Sequence, residues 1–180
     1  MNIQSINSIN YQNNTNFKSK IVPTEYLSRT LDYAIERPNC KRKFYDSLVK
    51  ILYDGKNDVV KFDYAKGWLK QKLFPGAYNI TVNKEKRPWN VFFGSRGIES
   101  QCIFAVSDYA EGFDNVKISS KLERAEDLYN RAWSEYIHSP FSEKTKTRKA
   151  KKKLESIKSF YLKTLSEEFR NIKREIFREK

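Results

Sequence analysis

The chain has 180 residues, of which 39% are hydrophobic and 14% aromatic. A chain of this length and composition can bury the core of one domain, which excludes a wholly disordered protein. Its formal net charge is +13 and its pI is near 9.6. Long-range attraction therefore favours nucleic acid, an anionic membrane surface or an acidic protein as a partner.

The cysteines and the hydropathy pattern exclude two further classes of protein. Cys40 and Cys102 form neither a disulfide framework nor a zinc-ligand spacing, and we interpret them as small apolar residues or free thiols. No apolar run reaches the length of a membrane span, and no apolar core of a Sec-type signal peptide follows the first Met. We expect a cytoplasmic protein, with secretion by a non-Sec route as the alternative.

Residues 1–20 differ in composition from the rest of the chain. They are rich in Asn, Ser, Gln and Ile and carry no charged side chain before Lys18, which predicts a flexible arm. In composition the segment resembles the uncleaved leaders of bacterial effectors delivered by type III-like secretion machines, and that resemblance implies an address signal. In a third interpretation, Ile3, Ile6 and Ile9 add a short strand or helical turn to a body at residues 21–140.

Three helices are predicted in the first half of this body. Apolar residues at helical spacing predict a helix over 25–36 with Thr24 as its cap, and a second helix from Asn39 to the stop at Gly55. From residue 59 onward a strand pattern competes with a helical pattern, and we favour a helix over about 61–73.

The middle of the chain has the residue types of β-structure. The segments 77–82, 89–93 and 98–106 are rich in aromatic and β-branched residues and predict three antiparallel strands. Gly94-Ser95-Arg96-Gly97 is a turn between the last two strands, and residues 83–88 form a basic, exposed connection.

Two helices are predicted to complete the fold. Ser120 and Glu123 have the spacing of a capping box, and the helix that they open runs to about Ile137. Residues 141–180 contain a basic run and then a helix from about 146 to 178, whose apolar stripe packs on the body. The predicted fold class is α+β, with a helical N-terminal half, a small three-stranded antiparallel sheet and a long amphipathic C-terminal helix.

No arrangement in the sequence specifies a reaction. The single histidine, His138, lies at a helix end, where it can interact with the helix dipole instead of activating a cysteine. The carboxylates of Asp108, Glu111 and Asp114 match no calcium-loop spacing, and the Gly94 to Gly97 turn lacks the Lys of a phosphate-binding loop. We therefore assign no catalytic residue, no metal ligand and no cofactor.

The basic segments carry the strongest functional signal, because Lys and Arg side chains displace counterions from phosphate backbones. One segment, Lys41 to Lys43, opens the second helix. The predicted nucleic-acid-binding residues come from the other two: Lys84, Lys86, Arg87, Lys144, Lys146, Arg148, Lys149, Lys151, Lys152 and Lys153. Trp89, Phe92 and Phe93 could stack on bases if they are exposed.

The predicted order of a helix at 61–73, three strands and a helix from Ser120 resembles that of a double-stranded-RNA-binding domain. In that family a strand-to-strand loop reaches a minor groove, and lysines at the start of the last helix hold phosphates. The resemblance implies these contacts for Lys84 to Pro88 and for Lys117, Lys121 and Arg124. This sequence departs from the family in lacking an adjacent lysine pair at the helix start and a histidine in the loop.

Two functional hypotheses follow. The first is a non-enzymatic basic protein that binds the phosphate backbone of nucleic acid, with RNA somewhat favoured. The second is a secreted bacterial effector-like protein that binds a host protein or an anionic membrane. Nucleic-acid binding predicts that the basic segments share one face, whereas a membrane role predicts exposed apolar residues beside the basic run. An enzyme ranks third, and it would require a concave pocket around His138 or the carboxylates.

Overall fold

A computed structural model describes residues 18–39, 41–53, 56–64, 78–86, 98–113, 119–140 and 142–178. Five α-helices lie in these segments: α1 Glu25–Glu36, α2 Arg42–Tyr53, α3 Ile98–Tyr109, α4 Ser120–Ile137 and α5 Lys144–Ile176. Four β-strands accompany them: β1 Lys20–Ile21, β2 Val59–Tyr64, β3 Tyr78–Val82 and β4 Glu85–Lys86. The predicted α+β class with a long C-terminal helix is confirmed.

The first two helices begin close to their predicted positions. Thr24 caps α1, because its Oγ1 accepts a hydrogen bond from the amide of Leu27 at 3.2 Å and donates one to the carbonyl of Phe62 at 2.7 Å. The bounds predicted for this helix are confirmed. The second helix begins at Arg42, three residues later than the predicted cap at Asn39.

The sheet has the strand order β1-β2-β3-β4 and is mixed, since β1 pairs with β2 in parallel and the other pairs are antiparallel. Asn83 and Lys84 join β3 to β4 with φ values of 49° and 72°, the left-handed conformation that tight hairpin turns require. The helix predicted from residue 61 is wrong for its first residues, which belong to β2. Val60 and Phe62 alternate into the core there. Residues 65–77 lie outside the described residues.

The strand predicted over 98–106 is wrong, because this segment forms helix α3. Cys102, Ala105, Val106 and Tyr109 are all buried, and their spacing of three and four residues places them on one helical face. The predicted strand 89–93 and the turn 94–97 lie outside the described residues.

The last two helices form an antiparallel pair. Helix α4 ends at Ile137 as predicted, but Ser119 precedes its first turn and makes no side-chain cap, so the predicted capping box at Ser120 does not form. Instead, the Ser119 hydroxyl donates a hydrogen bond to Glu168 on α5 at 3.1 Å. The predicted stripe of α5 is buried at these positions: Leu154, Tyr161, Leu165, Phe169, Ile172 and Ile176.

Within the described residues, it is the second half of α5 that packs on the body of the protein. Phe169 stacks on Phe44 of α2 with ring centroids 5.7 Å apart, and the Ser166 hydroxyl donates to the carbonyl of Ile35 on α1 at 2.8 Å. By contrast, Ala132 and Leu154 are buried between α4 and α5 but lie outside the main core. We call residues 128–160 the distal hairpin, since this part of the helix pair extends beyond the body.

Candidate functional site

The distal hairpin carries the basic run. Seven Lys or Arg residues lie between positions 144 and 153 in the first turns of α5, and all of them are exposed. Two of the seven are engaged: Lys146 with Glu143 at 2.7 Å and Lys153 with Glu135 at 2.5 Å. Within the part of the chain that the structure describes, the remaining five form no ion pair, and they are Lys144, Arg148, Lys149, Lys151 and Lys152. Their charge is available to a partner.

Two ion pairs define one edge of the hairpin. Lys121 on α4 binds Glu167 on α5 at 2.8 Å, and fourteen residues later Glu135 binds Lys153. Leu128 lies midway between the two α4 residues, and Phe160 lies midway between the two α5 residues. Positions seven apart recur on one helical face, so Leu128 and Phe160 face each other across this edge. We call it the Phe160 edge.

The other edge of the hairpin carries Trp133 and Ile137. These residues follow Glu126 by seven and eleven positions and therefore share its face of α4. Glu126 is bound by Arg42 at the start of α2, so this face is the one that meets the body. We call it the Trp133 edge. Leu128, Trp133, Ile137 and Phe160 are between 46% and 49% exposed.

A charged cluster joins the body to the base of the hairpin. Arg42 binds Asp46 at 2.8 Å within α2 and also binds Glu126 of α4. Burial raises the pKa of Asp46 and of Glu126, and the positive charge of Arg42 opposes this shift. Burial alone would lower the pKa of Arg42, but the hydrogen bond to Asp46 and the two carboxylate charges raise it. The charge of Arg42 is therefore used within the protein and is not available to a partner.

The basic segment at the β3–β4 turn lies at the opposite end of the molecule. Asn83 donates to Asp58 at 2.7 Å, and the amide of Asp58 donates to Ser19 at 3.0 Å. The neighbouring Lys18 pairs with Glu175 near the end of α5. Glu175 is twenty-two residues from Lys153, which corresponds to about 33 Å of helix.

The predicted binding residues therefore do not form one surface. Lys84 is exposed in the distant turn, while the side chain of Lys86 and residue Arg87 lie outside the described residues. The segment Lys41 to Lys43 is adjacent to the hairpin instead, because Arg42 contacts α4. Trp89, Phe92, Phe93 and Lys117 also lie outside the described residues.

The residues weighed for catalysis are separated. Cys102 is buried in α3, and burial raises the pKa of its thiol to about 12 despite a hydrogen bond with Thr30, which opposes thiolate chemistry. His138 lies on the exposed hairpin with its Nδ1 2.8 Å from the carbonyl of Ser134. Cys40 and Asp114 lie outside the described residues. Among the residues that are described, no group of three or more His, Cys, Asp or Glu side chains could hold a metal ion.

Comparison with known protein families, with curated proteins and with solved structures finds no match for this chain. The order of elements also differs from that of a double-stranded-RNA-binding domain, because β2 begins where the first helix was expected and α3 replaces the third strand. None of the helices in the described segments is both long enough and apolar enough to cross a membrane.

Sequence reasoning missed the Trp133 edge. The apolar residues of α4 recur at helical spacing and predict that Trp133 is buried with the others, but Trp133 is 47% exposed. The series is Leu122, Ala125, Tyr129, Ala132, Trp133 and Tyr136. The sequence gives little sign of this exposure, because Trp133 follows the buried Leu122 by eleven positions and so lies on nearly the same helical face.

Proposed function

We propose that this protein is a non-enzymatic binding protein that engages the phosphate backbone of nucleic acid through the distal hairpin. The observation that carries the proposal is the unpaired positive charge of α5, which extends beyond the body on a narrow helix pair. The hairpin contains nine Lys or Arg and three Glu. Such a concentration of cations gives binding by counterion release.

The proposal is supported by the small free-energy cost of bringing the lysines and arginines of the basic run into contact with a polyanion. Exposed lysines remain hydrated until they meet a partner, and the two ion pairs of the run are at the surface, where such pairs contribute little stability. The β3–β4 turn is too distant to bind the same stretch of phosphates, so the proposed site is the hairpin, with Lys41 and Lys43 at its base.

The test replaces Lys151, Lys152 and Lys153 with Gln. We expect the slope of log affinity against log salt to become shallower by about two to three, since each phosphate contact contributes roughly 0.7 to 0.9. Thermal unfolding should not change, because these side chains are exposed. Affinity is measured for RNA and DNA, each as single strand and duplex, across a salt series.

A matched control replaces Lys20, Lys84 and Arg174 with Gln. These residues are exposed at the far end of the molecule, and the substitution removes the same amount of charge. The control should keep nearly all of the affinity. An equal loss in both triple variants would show that binding reflects net charge alone and would overturn the proposal.

A second candidate is an anionic membrane surface, as expected for the effector-like interaction protein. One observation favours it: Leu128 and Phe160 are exposed side by side on an open edge that also carries lysines. Apolar side chains beside cations are typical of helices that lie on anionic lipid. Binding of vesicles containing phosphatidylserine, abolished by Phe160→Ser but not by Trp133→Ser, would support this candidate.

A further inference from the structure

Trp133 lies on the Trp133 edge, near the junction of the distal hairpin and the start of α2, and we call this region the corner. This tryptophan follows Glu126, which Arg42 of the body binds, by seven residues, or about 10 Å along α4. Trp133 is 47% exposed, and its ring lies 6.2 Å from that of Tyr136. About half of this aromatic side chain is therefore open to a ligand, close to the point where the hairpin meets the body.

The floor of this corner is basic. The Arg37 guanidinium and the Lys41 ammonium both lie over the ring of Tyr33, at 5.7 Å and 5.3 Å from its centroid. Lys43 is exposed one residue beyond Arg42. None of these three cations forms an ion pair with another described residue. Arg42 holds Asp46 and Glu126, while the carboxylates of Glu123 and Asp127 also lie close enough to act on Glu126. The floor can therefore attract an anion.

The top of the corner is basic as well. Glu135 binds Lys153, so Trp133, two residues earlier on α4, is level with about residue 155 of α5. The basic run begins within one helical turn of this level and continues to the end of the hairpin. Trp133 is thus an exposed aromatic residue between two groups of cations.

We propose that this corner binds single-stranded nucleic acid, with one base stacked on Trp133 and the flanking phosphates on the floor cations and the basic run. The inference rests on the proposed function and specifies its ligand. Aromatic side chains in a positively charged groove are how proteins hold single strands, because every base offers a face for stacking.

A duplex is disfavoured at this position. Its bases are stacked within it, so a duplex offers no free base face to the ring of Trp133. A flexible single strand can place one base on the ring and its phosphates on the cations.

The test compares Trp133→Ala with Phe160→Ala, which removes an aromatic residue of similar exposure from the opposite edge. We expect Trp133→Ala to weaken single-strand binding by between about fivefold and a hundredfold, as loss of one stacked base does. Duplex affinity should stay within about twofold. Trp133→Phe should retain most of the single-strand affinity, and Phe160→Ala should retain all of it.

A photo-crosslinking experiment on the unsubstituted protein removes any dependence on how the variants fold. A single strand containing 5-iodouracil is irradiated with the full chain, and the modified peptide is identified by mass. Crosslinking at Trp133 is expected. Crosslinking only elsewhere would overturn the inference.

The possible failures are distinguishable. If the Lys151 to Lys153 variant loses nucleic-acid binding while Trp133→Ala does not, the proposed function stands and the corner site is wrong. If neither variant affects binding, both are wrong. A loss of vesicle binding instead of single-strand binding in Trp133→Ala would make the corner a lipid site and overturn the inference.

Discussion

At the scale of single residues, Arg42 determines how the hairpin is attached. One guanidinium serves two carboxylates, Asp46 on its own helix and Glu126 on α4. Their side chains are 27% and 33% exposed, so water screens the charges of the cluster only in part. Both carboxyls have raised pKa values in the folded state. The folded state therefore binds more protons than the unfolded chain as pH falls, and the two groups favour folding increasingly toward about pH 4.

Replacing Arg42 with Gln should destabilise the protein by about 1–2 kcal/mol at neutral pH, because two neighbouring carboxylates lose their common cation. Their pKa values should rise further above those of the unfolded chain. The penalty is therefore present above these folded-state pKa values and should shrink as pH falls through them and the carboxylates become protonated. Urea unfolding at several pH values measures it.

Glu126→Gln is the control for this prediction. It leaves the pair of Arg42 and Asp46 intact within α2, so its destabilisation at neutral pH should be smaller than that of Arg42→Gln. A penalty for Arg42→Gln that is independent of pH would show that Arg42 acts through packing alone.

At the scale of elements, the two halves of α5 have different roles. Its second half is amphipathic and completes the core, with Phe169 in contact with both Phe44 and Tyr45 at ring separations of 5.7 Å. Among the described residues, its first half pairs with α4 and with the connection, where Thr147 donates to the carbonyl of Pro140 at 3.2 Å. One continuous helix therefore joins a segment that stabilises the core to a segment that exposes the basic run.

Phe169→Ala should destabilise the protein by about 3–5 kcal/mol, because it leaves a cavity where α5 meets α2. That is a large fraction of the total stability of a typical domain. Chemical denaturation should show a lower midpoint with an unchanged slope. Phe160→Ala on the same helix is the comparison, and it should cost little, since Phe160 is 49% exposed. Equal losses would contradict the division of α5 into two roles.

The accuracy of the sequence predictions varies by element, for a physical reason. Helices α1, α4 and α5 have polar faces, so their apolar residues show a clear helical period, and their positions were predicted well. Helix α3 has few charged residues, so its apolar run did not distinguish a helix from a buried strand. The spacing of Cys102, Ala105, Val106 and Tyr109 contained the helical signal, but their neighbours Ile103 and Phe104 obscured it.

At the scale of the whole molecule, the distribution of charge was less predictable than the charge itself. The sequence identifies the basic run as a local feature, and the structure places it on the hairpin. The sequence alone does not reveal that the β3–β4 turn lies at the other end of α5. The distance between the turn and the basic run depends on how β2 and the end of α5 meet near Ser19 and Lys18. The corner at Trp133 likewise depends on a tertiary contact, the pairing of Arg42 with Glu126.

The separation of core and hairpin predicts that the body folds without residues 131–158. Deleting them and joining Asn130 to Ser159 with a short Gly-rich turn removes seven residues of α4 and fifteen of α5 and cuts the two helices at the same level. It keeps the stack of Tyr129 on Tyr161, whose centroids are 5.5 Å apart. The buried side chains that are lost, Ala132 and Leu154, lie outside the main core. Cooperative thermal unfolding should persist, with a modest decrease in melting temperature.

The same deletion should abolish nucleic-acid binding at near-physiological salt. It removes nine Lys or Arg and three Glu, and so lowers the formal net charge from +13 to +7. The shortened chain is still basic, which makes it a stringent test, because a protein that binds through net charge alone would keep much of its affinity at low salt. Retained affinity with a steep salt dependence would place the phosphate contacts on the body, whereas a chain that fails to unfold cooperatively would show that the hairpin belongs to the core.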